Sequence, residues 1–275
     1  MMLIADSMNA IFEQMYKKII SEGHKKHGTT ELNNAMFVLT NVENNIVGYS
    51  NIDLGYLCAE ELWYSNGDEK LGFINQFNAP GFKRTSEDGI YSNSAYGHII
   101  FKRHGFNQLN QVIDILKKDP DSRRAVINLN VPNPHRQTCF DEICTFNLAF
   151  YINDNKLYCT AMMRSNDFCG CMPYDVAFFT SLQKYIAHKL EIECGTYTHF
   201  ATSLHIYDKN LYWNFNEKPK NYIFDFLSHH MSRLYLSRLF EEKLKCLDKT
   251  DKDSCNYNEI LLDLYKENKI IYEVE

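Results

Sequence analysis

The stretch CTFNLAFYINDNKLYCTAMMR, residues 144–164, decides the fold. TFNLAFYI (145–152) and KLYCTAMMR (156–164) read as two strands, and the turn formers Asn153, Asp154 and Asn155 lie between them. Downstream, DVAFFTSLQKYIAHKL (175–190) is amphipathic at helical spacing, and ATSLHIY (201–207) reads as a last core strand. Upstream, FNQLNQVIDILKKDP is a helix stopped by Pro120, followed by a strand, AVINLNV, over 125–131. Helices and strands interleave without the regular alternation of a doubly wound sheet. The class is therefore α/β, with a mixed β-sheet layered with helices.

Further out, the pattern predicts an amphipathic first helix within MMLIADSMNAIFEQMYKKII, then polar chain, then strand and turn over 35–50. A helix through LGYLCAEELWYSNGD closes at Asn66-Gly67. Residues 75–96, rich in Asn, Gly, Ser and Pro, read as a long loop, expected to serve as a lid or a pocket wall. One main domain is expected over 1–215, with 216–275 a charged helical extension of it.

The 275 residues, 45% hydrophobic, can bury a sizeable core. A net charge of -6 speaks against a broad nucleic-acid-coating face, so bound phosphate needs a local cluster of cations. Nine cysteines without framework spacing, and no signal peptide, predict reduced thiols in a cytoplasm. No segment approaches the length of a membrane span, and no glycine-rich phosphate loop is present.

Cys169 and Cys171 lack further ligands at zinc spacing, so no metal is expected. Cys144, at the head of a strand behind the acidic loop FDEI, can serve as a nucleophile or simply pack. Arg123-Arg124 at a helix-to-strand junction, and Arg164-Ser165, suit a phosphate dianion.

As a set, these parts resemble the thymidylate synthase superfamily. DPDSRR (119–124), CTFNLAFYI (144–152), RSND (164–167), PYD (173–175) and HIY (205–207) stand in that family's order. EELWYSNGD (60–68) and SAYG (94–97) resemble its acidic helix and Tyr-Gly turn.

The resemblance implies the thymidylate synthase fold, dimerised through the sheet, with Cys144 adding to C6 of a pyrimidine nucleoside monophosphate. The one-carbon donor is then 5,10-methylenetetrahydrofolate. Glu60 is implied as the carboxylate that orders water and moves protons, and Tyr96 as the aid to proton removal from C5. Arg164 and Ser165 hold the phosphate from one subunit, Arg123 and Arg124 from the other. His205 and Tyr207 bind the sugar hydroxyl, and Asp167 faces the folate.

Asp175 stands where uracil-specific members carry Asn. A carboxyl accepts from N4 of cytosine and, protonated or through water, donates to N3. Asp175 equally suits the N-cap of a helix over 176–190. Cys144-Thr145, MRSND and SLHIY resemble the deoxycytidylate hydroxymethylase branch in particular. The loop FNAPGFKRTSEDG lacks Trp and the chain ends in IIYEVE, which favours water rather than hydride at the transferred carbon. The expected activity is hydroxymethyl transfer to dCMP. CMP hydroxymethylation, methylation of dCMP or dUMP, and nucleotide binding without turnover are the alternatives. Three positions depart from the family: Ala149 replaces a usual Gln, Cys171 a usual Gly, and the N-terminal phosphate Arg has only Lys25, Lys26 and His27 in its neighbourhood.

Overall fold

A computed structural model describes residues 2–49, 52–82, 86–131, 138–213, 215, 218 and 219. Its strands are β1 (Met2–Ala5), β2 (His24–Lys26), β3 (Thr29–Leu39), β4 (Val126–Asn128), β5 (Thr145–Asn153), β6 (Lys156–Met163), β7 (Asn166–Asp167) and β8 (Glu193–Tyr207). Its helices are α1 (Met8–Glu22), α2 (Leu54–Ser65), α3 (Leu71–Phe82), α4 (Tyr96–Phe101), α5 (Gln108–Lys118) and α6 (Met172–Lys189). They fall into two compact units. Among the described residues, the first takes 2–49, 52, 108–131, 144–213, 215, 218 and 219, the second 53–82, 86–107 and 138–143.

The first unit is built on one mixed sheet, in the order β1-β3-β8-β6-β5-β4, with β2 paired to β3 and β7 to β8. The quoted stretch is its centre: β5 and β6 pair antiparallel from Thr145 opposite Met163 to Asn153 opposite Lys156. Only two residues turn the hairpin, Asp154 and Asn155, at φ of 48° and 56°. Short polar side chains tolerate this left-handed backbone, which matches the twist of the paired strands. β6 then runs parallel to β8, and β8 antiparallel to β3.

Alternation along the strands separates two faces. Leu157, Cys159 and Ala161 of β6, Tyr197, His199 and Ala201 of β8, and Ala35, Phe37 and Leu39 of β3 are buried. Helices α1, α5 and α6 pack on the sheet. In α6, Val176, Phe179, Leu182 and Ile186 are fully enclosed, each contributing about 1.5–3 kcal/mol of apolar transfer. The alternate positions stay open, and Phe146, Tyr151 and Met162 are 38%, 46% and 39% exposed.

The second unit is helical in its described part. The carboxylate of Asp53 caps α2 by accepting from the Tyr56 N–H, and Gly67, at φ 57°, turns the chain out of it. The indole of Trp63 donates to the Lys70 carbonyl at 2.9 Å.

Several sequence expectations are corrected. The apolar start is a strand before it is a helix, because Ser7 accepts from the Ala10 N–H and sets the helix start at Met8. Residues 24–34, polar but for Leu32, form the β2–β3 hairpin around His27 and Gly28, both at positive φ. The long loop gives way to α3 up to Phe82, since Pro80 and Gly81 stand at its end rather than its middle. The strand expected at 125–131 has only three paired residues, whereas β8 begins at Glu193, eight residues before the predicted start. The helix expected from 175 starts at Met172, with Pro173 in its first turn. Asp175 is therefore not its N-cap: Cys171 is, and the Asp175 N–H already donates to the Cys171 carbonyl. Apart from residues 218 and 219, the extension at 216–275 lies outside the described residues.

Candidate active site

Adjacent strand ends bring six of the expected residues to one end of the sheet. Cys144 precedes β5 and Arg164 follows β6, where the Arg164 N–H donates to the Cys144 carbonyl at 2.8 Å. Ser165 follows, and the carbonyl of Arg164 accepts from the Ser203 N–H of β8. β7 then lies against β8, with Asp167 opposite His205. The rings of His205 and Tyr207 meet edge to face, 5.2 Å apart. Cys144, Arg164, Ser165, Asp167 and His205 are each partly exposed, as an open site requires.

A tight turn links β7 to α6. Oδ1 of Asp167 accepts from the N–H groups of Cys169 and Gly170, at 3.1 and 3.0 Å. A Cβ on Gly170 would stand 2.5 Å from the other carboxylate oxygen. The glycine therefore keeps that oxygen clear as an acceptor. Burial pushes the Cys169 thiol up to about 12, and Cys171 is exposed. Among the described residues no three His, Cys, Asp or Glu side chains gather as metal ligands.

Asp175, one turn into α6, is half-buried with its carboxyl directed inward. Its Oδ2 accepts from the Asn166 amide at 2.7 Å. Burial raises its pKa to about 7; the Asn166 hydrogen bond opposes that rise and Asp167 adds to it. Behind Asn166 stand His199, 3.1 Å away, and Tyr197, 2.8 Å from His199. Neither Asn166 nor these two was singled out from sequence. The available signal was parity, since Tyr197 and His199 fall on the inward positions of β8.

Arg123 and Arg124 are not brought to this end within the chain. They are exposed before β4, and the Ala125 carbonyl accepts from the Phe150 N–H. That places them level with Tyr151, six residues along β5 from Thr145, a distance of about 20 Å at strand rise.

Glu60 and Tyr96 belong to the second unit. Glu60, half-buried on α2, accepts from the hydroxyl of Tyr56 one turn earlier. Tyr96 opens α4, buried and stacked on Tyr64 with ring centroids 5.5 Å apart. Gly97 lies so close to α2 that a Cβ would come within 1.8 Å of the Tyr64 carbonyl oxygen. The Tyr-Gly pair is thus a packing requirement as well as a motif.

Comparison with known proteins identifies the family. A family profile described as Thymidylate synthase matches residues 10–271, most of the tail included. A deoxyuridylate hydroxymethyltransferase of Bacillus phage SP01 is 30% identical over 171 residues, covering 57% of this chain and 44% of that protein. The chain therefore spans less than half the length of that relative. A thymidylate synthase of Buchnera aphidicola subsp. Baizongia pistaciae (strain Bp) is 23% identical over 209 residues, 72% of this chain and 78% of the other.

Proposed function

The chain belongs to the thymidylate synthase family, and from that premise we propose that it hydroxymethylates C5 of a cytosine nucleotide, dCMP, as a homodimer in a cytoplasm. The Cys144 thiolate adds to C6, and C5 becomes nucleophilic. When bound, 5,10-methylenetetrahydrofolate supplies the one-carbon unit that C5 takes up. Loss of the C5 proton releases tetrahydrofolate and leaves an exocyclic methylene, water adds to that carbon, and the thiolate departs to restore the ring. Glu60 orders the water and moves protons, and Tyr96 supports loss of the C5 proton. Arg164 and Ser165 grip the phosphate together with Arg123 and Arg124 of a second copy. His205 and Tyr207 hold the sugar hydroxyl, and Asp167 receives the pterin edge.

The observation that carries the choice of cytosine is the carboxyl of Asp175, held at Oδ2 by Asn166 and raised to about 7. Near neutral pH it exists in both protonation states. It can accept from the N4 amino group and donate to N3, the pair of contacts that cytosine demands. A second reading, hydroxymethylation of dUMP, is favoured by the name of the phage relative.

Incubation with methylenetetrahydrofolate and, separately, dCMP, CMP and dUMP, with products identified by mass, tests the proposal. Addition of CH2O to dCMP is expected. Addition to dUMP alone selects the second reading, addition of CH2 means methyl transfer, and no product means a binding protein.

A further inference from the structure

The polar chain behind Asp175 has a single direction. Asn166 presents its amide nitrogen to Oδ2 of Asp175, so its carbonyl oxygen faces Nε2 of His199. A carbonyl only accepts, so Nε2 carries the hydrogen. Burial pushes the pKa of His199 down to about 3, so the ring is neutral and has one N–H. Nδ1 is therefore an acceptor, and Tyr197 Oη, at 2.8 Å, donates to it. Phe37 stacks on the imidazole at 4.8 Å and 5°, fixing the ring plane. Asn166, His199 and Tyr197 are 3%, 1% and 0% exposed.

Burying three polar side chains on the apolar face of a sheet is costly unless each is satisfied. Here all three are satisfied by one another, and the chain of donors ends on a carboxylate. We propose that Asn166, clamped by His199 and Tyr197, is a specificity-positioning residue. It holds Oδ2 of Asp175 as an acceptor and leaves Oδ1 as the oxygen that takes or gives the proton when a base is read. The inference rests on the proposed role of Asp175 in base choice. The titratable groups that face Asp175 are Asp167 from the β7 turn and Tyr197 from β8, with His199 acting through Asn166.

The test separates this relay from the base reading. Ligand-free protein labelled with 13C at aspartate carboxyls is titrated by NMR, and Asp175→Asn identifies the resonance. Loss of the Asn166 donor raises the Asp175 midpoint by about one pH unit in Asn166→Ala. The isosteric Asn166→Asp raises it further, because two adjoining carboxyls share a proton. Calorimetric binding of dCMP without folate follows the same displacement along the pH axis. Tyr197→Phe, which keeps the core volume, moves both midpoints the same way by less. A residue that only stabilised the fold would lower the melting temperature and leave both midpoints in place. Folded variants that titrate like the parent overturn the relay. A midpoint that moves while the dCMP profile stays overturns the specificity role. A parent that prefers dUMP at every pH overturns the cytosine reading alone, because the ligand-free titration still reports on Asn166.

Discussion

Asp175 retains its proton over a pH range in which an ordinary aspartate has lost it, and that has consequences for stability as well as for the proposed base choice. Below about pH 4 the carboxyl is protonated in folded and unfolded chains alike. Between pH 4 and 7 only the folded chain keeps the proton, so stability falls as pH rises through that window, by an amount on the order of 4 kcal/mol. Asp175→Asn carries no such charge. Its melting temperature is expected to gain on the parent steadily from pH 4 to 8, a comparison that differential scanning calorimetry makes directly. The same variant should shift kcat/KM from dCMP towards dUMP by roughly tenfold to a hundredfold, the worth of one buried polar mismatch. An unchanged preference would remove Asp175 from base recognition. Cys144→Ala should abolish turnover while calorimetry still detects nucleotide binding. Normal turnover in it would overturn the covalent mechanism.

Elements explain which parts of the site were legible beforehand. Cys144, Arg164 and His205 are legible because they open, follow or nearly close runs with a clear strand pattern. Asn166 could not, since a two-residue strand such as β7 has no period to read. His199 was hidden for a different reason: on an inward strand position it resembles any packed residue until its neighbours are known. The β2–β3 hairpin is not legible because its residues are mostly polar and its turn is set by the left-handed pair His27-Gly28. Conversely, residues 75–96 read as a loop from their Asn, Gly, Ser and Pro content, whereas Pro80 and Gly81 stand at the close of α3. The contact between α2 and α4 offers a test at this scale. Gly97→Ala forces a methyl group onto the Tyr64 carbonyl and should cost about 3 kcal/mol or more in urea unfolding. Tyr96 would be displaced with it.

At the scale of the whole molecule, the separation of Arg123 and Arg124 from Cys144 bears on the proposed dimer. If phosphate is gripped across two copies, neither Cys144→Ala nor the double Arg123→Ala, Arg124→Ala variant is active alone. Mixed and reassociated, they should regain about a quarter of parental activity, since half the dimers then carry one complete site. Failure of complementation between stable dimers would deny the shared site. The half-exposed sheet face is the surface such a dimer would use, and Met162→Asp is expected to yield monomers in analytical ultracentrifugation. The order of the sheet has a further consequence, for biosynthesis. Leu39 pairs with Tyr197 and Thr29 with Tyr207, so β3 meets its antiparallel neighbour only after more than 150 intervening residues. At ribosomal speeds of about 5–20 residues per second, β3 waits on the order of ten to thirty seconds with one edge unpaired. The helices of the inserted second unit emerge in that interval. A nascent chain arrested before β8 should therefore expose a sticky strand edge and bind chaperones, whereas one released after Tyr207 should not.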